Sequence, residues 1–178
     1  MGVLMALDMG PTTTGFSVGD LSGKLPIAEF WPMPEIGGEG EVYRVFTNNL
    51  YDAIEAHKPD KLAIEKPLSV QAMLGRCNPE YIWRIGKLRG DVYEAGRRCR
   101  IPVVAFSADT IRSEILGRCR WPGGSEEAKK VVMAYVRGLG SNVTSFDAAD
   151  AVMVWLYVQS LQAKAKTGRN PLFRDAAD

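Results

Sequence analysis

The order of two hydrophobic patterns along this 178-residue chain constrains its fold more than any other feature. Near the N-terminus, short apolar segments at residues 3–7, 15–18 and 27–31 are separated by turns, as in an antiparallel meander of three strands. Beyond residue 40, segments with helical periodicity alternate with short apolar runs at 61–65 and 101–106. Three strands followed by alternating helices and strands predict one α/β domain with a mixed five-stranded sheet.

The predicted helices begin at residues suited to capping. Asparagine and serine side chains accept hydrogen bonds from the first backbone N–H groups of a helix, which predicts three N-caps: Asn78, Ser107 and Ser125. A last long helix is expected from about Phe146 past Leu161. We therefore expect a domain over residues 1–163 and a polar, flexible C-terminal tail over 164–178.

Composition excludes several classes of protein. The chain is 46% hydrophobic and 24% charged, which is typical of a globular domain and not of a disordered chain or a coiled coil. No apolar run reaches the roughly 18 residues that span a membrane. Three cysteines (Cys77, Cys99 and Cys119) without a C-x-x-C pair argue against a disulfide scaffold or zinc ribbon and predict reduced thiols in the cytoplasm. Because His57 is the only histidine, a metal ion would be held mainly by carboxylates.

The net charge of +1 is the sum of an acidic N-terminal segment and a basic middle segment. Residues 1–75 carry five Lys or Arg against ten Asp or Glu, a balance of −5. Residues 76–137 carry thirteen against seven, a balance of +6. The pattern is typical of a polyanion-binding surface beside a cluster of carboxylates, although a solvated charged surface explains the charge alone equally well.

Four carboxylates stand at the ends of predicted elements. Asp8 ends the first strand, Glu65 ends the fourth, and Asp147 and Asp150 lie three residues apart near the start of the last helix. If the first and fourth strands are neighbours, their acidic ends lie side by side, and the helical pair projects from one face. Such a cluster repels itself unless cations neutralise it. Oxygen ligands without histidine favour Mg²⁺ or Mn²⁺.

Each of these acids also has a purely structural interpretation. Asp147 is favoured by the dipole at a helix N-terminus, and Asp8 or Glu65 is explained as a polar residue at a strand end. Considered by itself, Asp150 is explained as a solvated side chain, although the alanines around it indicate a buried stretch. The occurrence of all four acids at the ends of predicted elements favours one shared site over four separate structural roles.

Three segments resemble the acidic motifs of the RuvC-type Holliday-junction resolvases: Asp8-Met9-Gly10-Pro11-Thr12-Thr13-Thr14-Gly15, Ala63-Ile64-Glu65 and Asp147-Ala148-Ala149-Asp150-Ala151. The segment from Ile85 to Gly90 is similar to the glycine-containing helix of that family, and the resemblance covers about residues 3–161. It implies an RNase H-like fold, a homodimer, and Mg²⁺-dependent cutting of two opposed strands in a four-way DNA junction during recombination and repair.

Carried over residue by residue, the resemblance makes Asp8, Glu65, Asp147 and Asp150 the metal-binding catalytic acids. Phosphodiester hydrolysis needs an activated water and a stabilised leaving 3′-oxygen, which two divalent ions supply. Four carboxylates therefore predict two Mg²⁺ per active site, with Mn²⁺ as a substitute and Asp8, at the central strand end, as the natural bridge. Arg112 and Lys129 fall where the family has lysines that contact phosphate, although the second match depends on a gap in the loop 118–124. Gly86 and Gly90 correspond to a subunit contact, and packing against the sheet is the alternative.

Leu68 departs from the family, which places at that position an aromatic residue that stacks on an unpaired base. Leucine can insert between bases but stacks poorly, so we expect weaker sequence selectivity and a greater dependence on junctions that are already open at their centre. Arginines in the basic middle segment are further candidates for contacts to the DNA backbone, Arg76, Arg118 and Arg120 among them. Arg97, Arg98 and Arg100 are equally well explained as a cluster at a helix C-terminus.

Two rival functions share the predicted fold. One is an RNase H-like nuclease that acts on other branched DNA or on RNA–DNA hybrids. The other is a single-domain, nucleotide-phosphate-binding relative of the actin and hexokinase superfamily, whose first phosphate-binding turn Asp8 to Thr12 also resembles. A junction-binding protein that does not cut is disfavoured, because repulsive carboxylates facing DNA would weaken pure binding.

Overall fold

The computed structural model describes residues 2–10, 12–35, 38–66 and 78–166. In chain order, the elements are β1 (Val3–Met9), β2 (Thr13–Asp20), β3 (Ile27–Pro32), α1 (Gly38–His57), β4 (Lys61–Lys66), α2 (Pro79–Cys99), β5 (Val103–Ser107), α3 (Ala108–Leu116), α4 (Gly124–Gly138) and α5 (Phe146–Lys166). The strands form one sheet in the order β3-β2-β1-β4-β5. β1, β2 and β3 pair antiparallel, whereas β4 is parallel to both β1 and β5. The predicted mixed five-stranded sheet is confirmed.

Alternation along the strands divides the core into two layers. Leu4 and Ala6 of β1 and Ala63 of β4 belong to a cluster with buried residues of α3, α4 and α5. Met5 and Ile64, at the intervening positions, belong to a second cluster with α1 and α2. Continuing the alternation places position 8 of β1 and position 65 of β4 on the α5 face of the sheet.

Helix α5 is the central helix of the fold. Residues 148–155 are buried, and Trp155 and Val154 have no exposed surface. A helix that is apolar on all sides packs between other elements, and α5 lies between the sheet and the helices α3 and α4. Its N-terminal end approaches the C-terminal edge of β1.

Two of the three predicted N-caps are confirmed. Asn78 accepts a hydrogen bond from the backbone N–H of Glu80 at 3.0 Å, and Ser107 accepts one from Thr110 at 3.1 Å. The prediction for Ser125 is wrong, because the N-cap position of α4 is Gly123, two residues earlier, and the helix begins at Gly124. Gly124 has a φ of 70°, and its N–H donates a hydrogen bond to the carbonyl of Trp121 at 3.0 Å. A tight turn therefore leads directly into the helix.

The C-terminal helix extends beyond the expected domain boundary at residue 163 and continues to Lys166. The rest of the expected tail, 167–178, lies outside the described residues. In the parts of the chain that the structure describes, we find no helix with both the length and the apolar character needed to cross a membrane.

Candidate active site

Asp8 and Glu65 lie side by side at the C-terminal edge of the sheet. β1 and β4 are parallel and pair in register up to Leu7 and Ile64, and the two acids follow immediately. Both belong to the alternating positions that face α5. The strand-end carboxylates that the sequence predicted as neighbours therefore share one edge and one face.

The N-terminal end of α5 brings Asp147 and Asp150 over the same edge. Ser145 accepts a hydrogen bond from the Ala148 N–H at 3.0 Å and so caps this end. Asp150 is only 5% exposed, although it carries a carboxylate. The structure thus brings all four predicted acids together from β1, β4 and α5.

Gly15 in β2 permits this approach. It pairs with Asp8 across the β1–β2 ladder. A Cβ added to Gly15 would lie 1.9 Å from the carbonyl oxygen of Asp147, so only glycine lets α5 pack this close. Thr13 donates a hydrogen bond from its hydroxyl to the Asp147 carboxylate. β2 therefore sets the position of Asp147 against Asp8.

Further along, the same face of β2 holds the rest of α5 through contacts that sequence reasoning missed. The buried Ser17 hydroxyl donates to the carbonyl of Ala151 at 2.9 Å. The indole N–H of Trp155 donates to the carbonyl of Gly19 at 3.3 Å. The signal was present in the sequence, because small or polar residues stand at every second position of β2, from Thr13 to Gly19.

Two basic side chains pair with the acids on α5. Arg112 on α3 lies 3.3 Å from Asp150 through Nη2 and Oδ1, and both side chains are mostly buried. Lys129 on α4 lies 3.7 Å from Asp147 through Nζ and Oδ1 and is 43% exposed. The two residues predicted to contact phosphate therefore stand within the acidic cluster and offset part of its charge.

The acids remain mutually repulsive despite these pairs. Burial, followed by the charge of Glu65, raises the pKa of Asp8 well above its ordinary value. Burial and the charge of Asp150 raise the pKa of Glu65 to about 7. Burial also raises the pKa of Asp150, while Arg112 opposes that shift. Burial and the neighbouring negative charges thus both favour the protonated forms of these carboxylates.

The side chains are not arranged as a finished metal site. Within the described segments, no group of three acidic, histidine or cysteine side chains is placed so that it could hold a metal ion as it stands. Instead, Arg112 and Lys129 supply the nearest positive charges to Asp150 and Asp147. The chemistry of the donors still fits a hard divalent ion, because all four are carboxylates whose repulsion such an ion would relieve.

The remaining candidates lie in the loop before α4, on α2 and outside the described residues. Leu68 and Arg76 lie outside the described residues. Arg118 donates two hydrogen bonds to the carbonyl of Arg120, at 3.0 Å and 2.9 Å, in the loop beside Arg112. On α2, Arg97 and Arg98 both pair with Glu94, which favours a local role in that helix.

Gly86 and Gly90 are exposed on α2, and a Cβ added to either would meet no atom within 4 Å. Packing against the sheet therefore does not explain them.

Comparison with known proteins supports the resemblance seen in the motifs. No family model matches the chain. The crossover junction endodeoxyribonuclease RuvC of Salinibacter ruber is 23% identical over 159 residues, which covers 86% of this chain and 83% of that protein. The RuvC of Idiomarina loihiensis is 25% identical over 163 residues, covering 88% of this chain and 86% of the relative. The chain is thus similar to RuvC-type resolvases over most of its length.

Solved structures agree on the fold. Thermus thermophilus RuvC in complex with Holliday junction substrate matches with a TM-score of 0.68 at 18% sequence identity, over 94% of this chain and 97% of that one. The yeast mitochondrial Holliday junction resolvase Ydc2 matches with a TM-score of 0.61 at 15% identity, over 94% and 81% of the two chains. The predicted RNase H-like α/β fold is confirmed.

Proposed function

We propose that this protein is a metal-dependent endodeoxyribonuclease that resolves four-way (Holliday) DNA junctions by paired symmetric nicks. The observation that carries the proposal is the convergence of Asp8, Glu65, Asp147 and Asp150 at one edge of an RNase H-like sheet. The relatives named RuvC support a junction as the substrate, because the similarity spans nearly the whole domain. We further propose that the protein acts in the cytoplasm, where the free thiols of Cys99 and Cys119 stay reduced.

The four acids are the proposed ligands of two Mg²⁺ ions, with Mn²⁺ as a substitute. When bound, such a pair of ions activates the attacking water and stabilises the leaving 3′-oxygen. Asp8 would be the central ligand of this set, because it follows the last pair of the β1–β4 ladder next to Glu65 and its partner Gly15 contacts Asp147 on α5. The raised pKa values of Asp8, Glu65 and Asp150 support this assignment, since buried carboxylates in this state gain from added positive charge.

The basic residues have two proposed roles. Arg112 and Lys129 neutralise the α5 aspartates while the site is empty of substrate. When the strand to be cut approaches, the same cations can pair with the oxygens of its phosphate and stabilise developing charge there. Arg118 and Arg120, in the adjoining loop, are proposed to position the DNA backbone, and Arg76 keeps that role from the sequence alone. Leu68 remains the proposed base wedge from the sequence alone.

A homodimer is part of the proposal, because resolution of a junction needs two active sites at a fixed separation. Trp83, Gly86, Gly90 and Tyr93 follow one another at spacings of three and four residues and form one stripe along α2. Trp83 is 63% exposed and Tyr93 43% exposed, whereas Leu88 and Val92 bury the opposite side of the helix. An aromatic stripe interrupted by glycines lets a second helix approach closely.

Sedimentation of the Gly90→Arg variant tests this interface. Gly138→Arg is the control, because Gly138 is exposed at the end of α4 and not on α2. We expect Gly90→Arg to shift the protein toward monomer and to uncouple the two nicks, while the control remains dimeric. A wild-type protein that is monomeric yet makes paired nicks contradicts the proposed dimer.

The central test is cleavage of end-labelled substrates with Mg²⁺ or EDTA. An immobile four-way junction, a duplex, a flap and an RNA–DNA hybrid are compared in parallel. The proposal is supported if the four-way junction is cut and the other three substrates are not. Preferential cutting of the hybrid or the flap supports the rival nuclease, and the absence of metal-dependent cutting on every substrate refutes a nuclease.

Variants of the acids connect that activity to the site. Asp8→Asn, Glu65→Gln, Asp147→Asn and Asp150→Asn should each abolish cutting while junction binding in EDTA survives, because amides are poor ligands for hard ions but remove charge that repels DNA. Asp20→Asn is the matched control, since Asp20 is exposed at the opposite end of β2. Full activity in any two of the four variants refutes the four-acid site.

A further inference from the structure

We propose that the cavity between α3, residues 117–123 and the start of α4 binds one unstacked nucleotide of the DNA, with its base against Trp121 and its phosphate toward Arg120. The inference rests on the proposed function, because it takes a DNA strand as the ligand. It adds the capture of a base beside the catalytic acids to the backbone contact already proposed for Arg120.

The cavity has a volume of about 310 Å³. That lies at the lower end of the range for small-molecule pockets, which suits a single nucleotide rather than a longer segment. Its lining includes Arg112, Cys119, Arg120, Trp121 and Ala128. Two arginines and one tryptophan therefore line the same small space.

The loop that carries Trp121 is held in place before any ligand binds. Arg118 lies over the indole ring with its guanidinium carbon 5.3 Å from the ring centroid, and it donates two hydrogen bonds to the carbonyl of Arg120. The Trp121 carbonyl accepts from the Gly124 N–H at 3.0 Å. Glu127 accepts from the Gly123 N–H at 2.5 Å and fixes the far side of the loop. A preformed aromatic surface loses little conformational entropy on binding.

The chemistry favours a nucleotide over a free anion. The first turn of α4 carries Glu126 and Glu127, which oppose an isolated phosphate at that helix end. An indole offers a flat surface on which any base can stack, and arginine supplies the countercharge for the attached phosphate. Bases inside a duplex are already stacked on each other, so the cavity suits a base that has left the stack.

The cavity also adjoins the acidic cluster. Arg112 is one of its lining residues, and the Arg112 side chain pairs with Asp150 at 3.3 Å. A nucleotide held against Trp121 would thus lie next to the strand position that the acids are proposed to cut. Capture of that nucleotide would position the neighbouring phosphate over the site.

Protection of Cys119 from alkylation tests the inference in the wild-type protein without cleavage. Cys119 lines the cavity, whereas Cys99 is exposed at the end of α2 and provides an internal control. In EDTA, we expect a short oligodeoxythymidylate, and a junction with an unpaired base at its centre, to slow iodoacetamide labelling of Cys119 but not of Cys99. Equal labelling of Cys119 with and without DNA, or equal protection by a perfect duplex, overturns the proposal.

Substitutions at the cavity give a second measurement. Trp121→Leu should weaken binding of the oligodeoxythymidylate in EDTA by about 5- to 150-fold, the range expected for the loss of one stacked base, and Trp121→Phe should restore most of it. Tyr135→Leu, which removes an exposed aromatic elsewhere on α4, should leave binding unchanged. Arg120→Gln should weaken binding more than Arg100→Gln, which removes an exposed arginine after α2.

These measurements separate the two proposals. If Cys119 is protected and Trp121→Leu binds weakly but no junction is cut in Mg²⁺, the nucleotide site stands and the proposed function fails. If junctions are cut while Trp121→Leu binds as the wild type does, the nucleotide site fails and the function stands.

Discussion

Replacing Gly15 with alanine should damage catalysis more than binding. The new Cβ would lie 1.9 Å from the carbonyl oxygen of Asp147, 2.1 Å from its carbonyl carbon and 2.5 Å from the backbone nitrogen of Ala148. All three are backbone atoms, so no side-chain rotation relieves the clash. Bringing the shortest contact to 3.0 Å requires a displacement of about 1 Å between β2 and α5.

The size of both effects follows from that displacement. Overpacking of this kind costs about 1–3 kcal/mol, which for a domain of this length lowers Tm by about 2–12 °C. Because Asp147 and Asp150 move with α5 while Asp8 and Glu65 stay on the sheet, the four carboxylates separate. A misplacement of about 1 Å reduces cutting by on the order of 100-fold.

The assay compares cleavage rate, junction affinity in EDTA and Tm for Gly15→Ala and Gly138→Ala. Gly138 ends α4 at an exposed position where an added Cβ meets no atom within 4 Å, so that variant should change none of the three measurements appreciably. A Gly15→Ala protein that cuts at the wild-type rate would refute the claim that β2 positions α5 for catalysis. An equal loss of junction binding would point instead to general unfolding.

Other perturbations follow from the charges and from the sequence. Arg112→Met should destabilise the metal-free protein at pH 8 by about 3–5 kcal/mol in denaturant unfolding, because Asp150 loses its buried partner; an unchanged midpoint contradicts this. The pKa of Glu65 is raised to about 7, so the folded protein binds the Glu65 proton more tightly than the unfolded chain does. The free energy of unfolding should therefore fall as pH rises from about 4.5 to 7. In thermal melts, Glu65→Gln should flatten that decline. Leu68→Phe should accelerate cutting of fully paired junctions more than of junctions with unpaired central bases, and equal acceleration would exclude a wedge at this position.

The sequence was sufficient to predict the partnership of the strand-end acids. An apolar run that ends in Asp8 and another that ends in Glu65 imply carboxylates at strand ends, and parallel neighbours bring such ends together. The spacing of Asp147 and Asp150 likewise fixes them on one side of a helix. These inferences depend only on local periodicity and on one assumption about strand order.

The cations and the helix start depend on tertiary packing, which local patterns do not contain. Arg112 and Lys129 were predicted to face DNA, but their ion pairs with α5 follow from where α3 and α4 pack against it. The start of α4 was misplaced because Ser125 is a good cap by residue type alone. The left-handed conformation of Gly124 and the bond between Gly123 and Glu127 decide the true start.

The geometry of the candidate site depends on a match between the two-residue spacing along strand β2 and the four-residue spacing along helix α5. Two residues along a strand advance by about 6.8 Å, and four residues along a helix advance by about 6.0 Å. Thr13, Gly15, Ser17 and Gly19 lie at the first spacing, and α5 meets them through Asp147, Ala151 and Trp155 at the second.

Each contact therefore holds α5 in one register on β2, while the ladder between Gly15 and Asp8 holds β2 in register with β1. Sliding α5 by one residue would rotate it by about 100° and turn Asp150 away from the sheet. Ser17 and Trp155 thus act on the acids without touching them, because they exclude every other register of the helix that carries half of the site.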